Sequence, residues 1–429
     1  MEKKKLIFEI VPTVFILLLP FFLITGPFLS DLCITIVAIL FLINSKINNL
    51  YKFYNNIYFK LFFIFWIILI LSSLLSDNVL SSLRSSLFYI RFGIFSISFW
   101  YLIEKNNRIL EYVFYSIITC FLILIVDGYI QFIFGKNIFG TILNSNNRVS
   151  SFFGSELILG SYLSRFFPIL FGLFILVDQS LKKKNKKLLF ILTLIFLLSE
   201  GLILLSGERV ALFFMNMSAI FLILMLNNYK SYRFWTYIGS LFFIFALLFF
   251  NSPTKTRIID QTINDFYNNS QIEGDQKNNS KIYIFTKAHN DMFFTGIKIF
   301  NDNKFFGVGP RQFREKCEEF GISELSCQSH PHNTYIELLS ESGIFSFIIV
   351  FGTFILIIFY SFNHFIKKIF RQKDSMLSDF EICIMSAVII SLWPLAPTGS
   401  FFNNWMSIVY YFPIGMLLWE RSKKMKKNL

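Results

Sequence analysis

The sequence predicts an all-α, polytopic membrane protein of about twelve transmembrane helices, on three observations. Hydrophobic residues fill 55% of the 429 positions and charged residues only 16%, with 58 Phe and a mean hydropathy of +0.58. No soluble globular domain has that balance. The apolar residues also come in unbroken blocks close to the 20 or so needed to cross roughly 30 Å of hydrocarbon. Finally, lysines and arginines gather between alternate blocks.

Backbone groups at membrane depth have no water to pair with, so each block must satisfy itself as a helix. The blocks lie near 6–25, 27–44, 57–76, 86–103, 109–134, 155–177, 188–206, 209–226, 234–251, 340–363, 380–398 and 402–420. The first is followed by more spans rather than by a small-residue cleavage site, so it is expected to remain as an anchor. Between alternate blocks lie Lys3–Lys5, Lys46 to Lys60, Lys105 with Arg108, Lys182 to Lys187, Lys230 with Arg233, Lys367 to Lys373 and Arg421 to Lys427. Together they hold 24 of the 40 Lys and Arg. This positive-inside pattern places both termini in the cytoplasm. The net charge of +13 is therefore a topology signal, and no nucleic-acid partner is expected.

One sizeable extramembrane segment remains, from about Ser252 to Asn333, with ten basic and ten acidic residues. The expected organisation is spans one to nine over 1–251, an external loop over 252–339, and three spans with a cytoplasmic tail over 340–429. Within the loop, Thr262 to Ser280 is rich in Asn, Gln and acids and reads as flexible. Tyr283 to Phe300 has helical apolar spacing and reads as a helix on the membrane face, ended by the turn Phe305-Phe306-Gly307-Val308-Gly309-Pro310.

Cys33, Cys120 and Cys383 fall inside spans and read as small apolar packing. Cys317 and Cys327, with nine residues between them in the external loop, can form a disulfide in an oxidising compartment. His364 sits at a cytoplasmic helix end and His289 on the surface helix, and both read as ordinary polar positions. Of the ionisable residues within spans, Asp127 and Glu156 lie near external ends and are candidates to line a cavity. Arg91 and Arg165 are candidates to pair with acids, and Glu200 completes the set.

The most specific stretch runs from Ser329 to Gly343, Ser-His-Pro-His-Asn-Thr-Tyr-Ile-Glu-Leu-Leu-Ser-Glu-Ser-Gly, where the loop meets the tenth span. His332-Asn333, nine residues and Gly343 resemble the signature of the O-antigen ligase and O-antigen polymerase family of bacterial membrane glycosyltransferases. A later glycine of that pattern is Ser346 here. Gly307-Val308-Gly309 resembles the family's Gly-x-Gly turn, and Ser206-Gly207-Glu208-Arg209 its short external turn with an essential arginine. Asp127 to Gly135, with Gln131, and Arg148 to Ser161 resemble its fifth span and the loop that follows.

The resemblance implies a GT-C-like membrane enzyme whose large loop is periplasmic. It would take a polysaccharide from an undecaprenyl-diphosphate donor without a metal or other cofactor. The external loop has no Asp-x-Asp pair, so arginine takes the place of a divalent cation. Guanidinium groups bind phosphates bidentately and stay charged. Arg148, Arg209, Arg311 and Arg314 are the candidate diphosphate ligands. Arg84, with no motif around it, reads as solvated. Displacement at a sugar carbon needs a base beside the acceptor hydroxyl, and His332 is the candidate. His330 and Asn333 are expected to support it, with Pro331 turning the two rings in different directions.

The expected setting is the bacterial inner membrane with its lipids, in several passes, and the site facing the periplasm. Two acceptors fit: the lipid A core oligosaccharide, which makes the protein a ligase, or another lipid-linked repeat unit, which makes it a polymerase. One dominant external loop favours the ligase, because polymerases of this superfamily often have a second. A glycolipid transporter is a remote third reading, since no internal repeat is found.

Overall fold

The computed structural model describes residues 2–144, 147–180, 185–263, 286–372 and 377–427. The segment read as flexible therefore lies, from residue 264 on, outside the described residues. So do Lys182–Lys184 and Lys373 of the basic segments. Among the described residues the protein is helical throughout, with two isolated antiparallel bridges, Lys136 to Ile142 and Asn144 to Arg148.

In chain order the helices are α1 (Leu6–Thr25), α2 (Pro27–Asn48), α3 (Ile57–Leu74), α4 (Val79–Leu87), α5 (Ile90–Lys105), α6 (Ile109–Phe134), α7 (Leu159–Ser180), α8 (Lys186–Ser206), α9 (Arg209–Met225) and α10 (Lys230–Phe250). The loop region adds α11 (Lys287–Asp302) and α12 (Phe313–Phe320). Then come α13 (Gly343–Ile369), α14 (Asp379–Ser391) and α15 (Asn404–Lys427). The helices turn where their sequences allow. Gly26 at φ +131° is followed by Pro27 at the first position of α2. Asn56 starts α3 by accepting from Phe59 N at 2.9 Å, and Ser378 starts α14 by accepting from Glu381 N at 3.1 Å. Buried α7 lies at the centre, against α6, α8, α9 and α14, while α5 packs between α2 and α15.

Each of the twelve apolar blocks contains a helix, but they are not equal. Nine of the described helices are long and apolar enough to cross a membrane, and α9 is shorter. The fourth block is divided, with α4 leading into α5. The eleventh differs most: a continuous span over 380–398 is expected, yet α14 ends at Ser391. Pro394 and Pro397 follow, and a proline cannot supply the N–H that a continuing helix needs. Residues 392–403 instead fold irregularly beneath the loop region. The tenth span starts earlier than 340, at Thr334, with a short helical turn Thr334–Glu337 and a one-turn π-bulge Leu338–Ser342 leading into α13.

Candidate functional site

Two glycine-bearing segments cross at the mouth of α13. Ile344 N would close a regular helix onto Ser340 O, but donates instead to Lys304 O at 2.9 Å. The bulge thus frees two carbonyls: Ser340 O accepts from Val308 N at 2.9 Å, and Glu341 O from Gly309 N at 2.8 Å and from Ser72 Oγ at 2.8 Å. The backbones touch, and only glycine fits. A Cβ on Gly307 would lie 2.4 Å from the Glu341 carbonyl carbon, and one on Gly343 would lie 2.1 Å from Phe305 O.

Two glutamates four residues apart, on one face of the helix entrance, then fix the walls. Glu341 accepts from Arg311 N at 2.6 Å and Phe313 N at 3.0 Å. Glu337 accepts from Ser400 Oγ at 2.5 Å and Phe401 N at 2.8 Å. Arg311 reaches across and donates to Phe402 O at 2.8 Å, its backbone held at φ +64°. One helical turn thereby ties the arginine turn at 309–314 to the irregular 398–402 segment.

The same entrance places the histidines. Asn333 is the helix cap: its Oδ1 accepts from Tyr335 N at 3.0 Å and Ile336 N at 3.2 Å, and its Nδ2 donates to Pro394 O at 2.8 Å. His332, just before the cap, has φ +53°, and its carbonyl accepts from Thr398 N at 2.8 Å. The expectation that Pro331 sends the two rings apart is overturned. The left-handed turn at His332 folds its ring back, and the His330 and His332 ring centroids are 4.0 Å apart. His330 Nε2 meets Thr398 O at 3.3 Å and Nδ1 meets Ser329 Oγ at 2.8 Å. A carbonyl only accepts, which assigns the ring proton to Nε2.

His289, from the first turn of α11, completes the cluster 5.6 Å from His332, its Nδ1 held by Thr286 Oγ1 at 2.7 Å. Burial lowers the pKa of all three rings, to about 4 for His330 and about 3 for His332, where the neighbouring His330 and His289 lower it further. The three histidines are neutral near pH 7.

The opposite wall is the Ser206–Arg209 turn. Gly207 takes φ +68°, and a Cβ there would meet Arg148 Nε at 3.2 Å and Arg257 Cγ at 3.3 Å. Arg148 Nε donates to Ser206 O at 2.7 Å. Glu208 accepts from Gly160 N at 2.6 Å and Ser161 N at 2.9 Å, at the positive end of the α7 dipole. Burial raises its pKa, and those two donors oppose the rise. Behind Arg148, Gln131 accepts from Ser150 N at 2.9 Å and Ser151 N at 2.7 Å. Asp127 accepts from Ser151 Oγ at 2.6 Å and Ile138 N at 3.0 Å. These two residues of α6 hold the loop that presents the arginine.

Between the walls lies a cavity of about 970 Å³. His289, His330 and His332 line it, together with Arg148, Arg165, Arg209, Arg257, Arg311 and Arg314, while Leu23, Ile24, Pro27, Ile158, Trp405 and Met406 form an apolar side. All four arginines singled out from the sequence, and both histidines of the motif, meet at this one cavity. Of the intramembrane set, Glu156 and Arg165 line it. Asp127 and Arg91 are structural, the latter paired with Asp31 at 2.6 Å. Glu200 is buried away from the cavity, and Arg84 and Asn333 do not line it.

Cys317 and Cys327 are joined in a disulfide, next to the cluster Ile299, Val308 and Phe313, and the other three cysteines are free and buried. His364 lies at the far end of α13, against Met225 O at 3.1 Å. The cavity also draws on His289, Arg257 and the 397–403 segment, which the sequence motifs do not mark as site elements. The signal for the last was present: two prolines and Gly399 interrupt an apolar block.

Residues 188–351 match the family model described as O-antigen ligase, a stretch from α8 into α13 that contains Arg209, the Gly307–Gly309 turn, His332 and Gly343. No curated protein matches the chain. The 188–351 segment is thus similar to the O-antigen ligase family, and the described helices around it are those of a multi-pass membrane protein.

Proposed function

We propose that the protein is an O-antigen ligase, which moves a polysaccharide from undecaprenyl diphosphate to the lipid A core oligosaccharide on the periplasmic face of the inner membrane. The observation that carries this reading is the single cavity with six arginines, three neutral histidines and one apolar side. Lipid, diphosphate and sugar follow one another in the donor, and the cavity offers chemistry for each.

In this reading Arg148 and Arg209, with Arg257 beside them and Arg311 and Arg314 across the cavity, hold the diphosphate. They also neutralise the charge that builds as it departs. His332, deprotonated in the free enzyme, accepts the proton of the acceptor hydroxyl. The hydroxyl oxygen forms a bond to the anomeric carbon from the face opposite the leaving group. The carbon–oxygen bond to phosphate breaks with its electron pair on the phosphate, and undecaprenyl diphosphate leaves with one more negative charge. The proton on His332 then passes to solvent. The bound diphosphate raises the pKa of His332, which makes it a better base in the complex than in the free enzyme. His330, fixed by Thr398 O and Ser329, orients it.

The test is the surface polysaccharide of cells lacking the protein, resolved by gel with separate detection of core and carrier-linked polymer. Long polymer on the carrier with bare core supports the ligase. Single repeat units on both carrier and core overturn it in favour of a polymerase. Transfer by purified protein in detergent, without a gradient, excludes a transporter.

A further inference from the structure

Arg165 has no place in the reaction described so far. It lies on α7, four residues beyond Ser161 and therefore about 6 Å deeper along the helix axis. It is only 3% exposed yet lines the cavity. Its guanidinium stacks 5.0 Å from the Phe214 ring centroid, Nη1 is at the limit of hydrogen bonding to Ser161 O at 3.5 Å, and Nε is buried with no partner. No carboxylate among the described residues forms an ion pair with it, whereas Arg91, the other arginine read as lying within a span and available to pair, has Asp31 at 2.6 Å. Glu208 acts on it only through space. A buried guanidinium with no direct ion pair is costly, and an anion entering from the cavity lowers that cost.

The membrane sets which anion. The isoprenoid of the donor has to remain in hydrocarbon, so of the two phosphates the one bonded to the lipid is the deeper. The sugar-bearing phosphate then lies at the level of Arg148 and Arg209. We propose that Arg165 binds the lipid-proximal phosphate of the polyprenyl diphosphate, as the deepest of the arginine contacts. The assignment rests on the reading of the cavity as a lipid-diphosphate site. It makes a distinction that no other arginine makes: Arg165 touches the phosphate that a polyprenyl monophosphate retains.

Full-length protein in detergent, titrated with undecaprenyl phosphate, undecaprenyl diphosphate and undecaprenol, tests it. Wild type is expected to bind both phosphorylated lipids more tightly than undecaprenol. Arg165→Gln weakens both by roughly tenfold or more, while Arg209→Gln weakens the diphosphate and spares the monophosphate. That crossed pattern is one a merely structural arginine does not produce. Monophosphate affinity unchanged in Arg165→Gln overturns the assignment and leaves the reading of the cavity intact. Wild type that binds neither phosphorylated lipid better than undecaprenol overturns the reading itself. If Arg165→Gln does not fold, Arg165→Lys serves. A lysine is a point charge without the guanidinium fork, so monophosphate affinity falls about threefold or more at unchanged thermal stability, and wild-type affinity overturns the assignment.

Discussion

Replacing Gly343 with alanine tests whether the backbone crossing sets the position of the arginine turn. Gly343 has φ +75° and ψ −177°, a region essentially confined to glycine, where another residue costs on the order of 1–3 kcal/mol. The added Cβ would lie 2.1 Å from Phe305 O and 2.6 Å from Phe306 N, so the facing segment has to retreat by roughly 1 Å to regain van der Waals contact. The retreat strains the bonds Val308 N to Ser340 O, Gly309 N to Glu341 O and Ile344 N to Lys304 O. Each is worth about 0.5–1.5 kcal/mol net. If all three are lost, the total is roughly 3–7 kcal/mol, concentrated on the turn that carries Arg311 and Arg314. Misplacing a substrate-positioning group by about 1 Å lowers a rate on the order of a hundredfold. The assay is kcat for glycan transfer by purified protein, with Tm in detergent alongside. Gly352→Ala on the same helix is the control, since a Cβ there meets nothing within 4 Å. A Gly343→Ala protein that stays within about twofold of that control in kcat, at equal Tm, refutes the reasoning.

Three further outcomes are expected. His332→Ala abolishes transfer while expression and membrane insertion stay normal, because the caps that start α13 come from Asn333; near-normal transfer removes His332 as the base. For the pH dependence, burial lowers His332 to about 3 and His330 to about 4, so below the usual histidine value of about 6.5 the unfolded chain binds protons that the native protein does not. Stability therefore falls as pH drops from about 6.5 toward 4, and His330→Gln, without the titrating ring, flattens that slope in thermal denaturation. In kinetics, the acid limb of kcat/KM lies well below that of kcat, because the bound diphosphate raises the pKa of His332; coincident limbs contradict this. Finally, reduction of Cys317–Cys327 loosens the segment between Arg314 and Ser329, raising KM and proteolysis of the loop. A Cys317→Ser, Cys327→Ser protein with wild-type KM contradicts it.

The helices were legible because lipid imposes one rule on all of them: an apolar block must satisfy its own backbone. The rule says nothing about a block that does not finish crossing. This is why 380–398 read as a span, although Pro394 and Pro397 end α14 and turn the chain under the site. The motif residues His332, Asn333, Gly343 and Gly307 were readable because each has a local job: proposed base, cap or close backbone approach. Arg148, Arg209, Arg311 and Arg314 were readable as external cations, but not their convergence, which depends on Glu341, Glu208 and Gln131 holding three distant turns. His289 is not marked out by the sequence, because a lone histidine on an amphipathic helix carries no signal until that helix packs beside the motif. The two glutamates of the motif, Glu337 and Glu341, stood in plain view without an assigned task. Their partners, Phe401 and Arg311, are 64 and 30 positions away.

The tie between Arg311 and Phe402 has a consequence for biogenesis. Ribosomes release the arginines of one wall early: Arg148, Arg165 and Arg209 enter the membrane long before residues 398–402 are made. Until those residues arrive, Glu337 has neither Ser400 nor Phe401 to hold, Arg311 has no carbonyl to anchor it, and Thr398 has not closed against the histidines. A chain paused in the insertion machinery thus carries these cations but lacks the floor that braces Arg311 and the histidines. The cavity takes its final form only after the segment between α14 and α15 has docked, so the order of synthesis makes this floor among the last parts of the site to arrive.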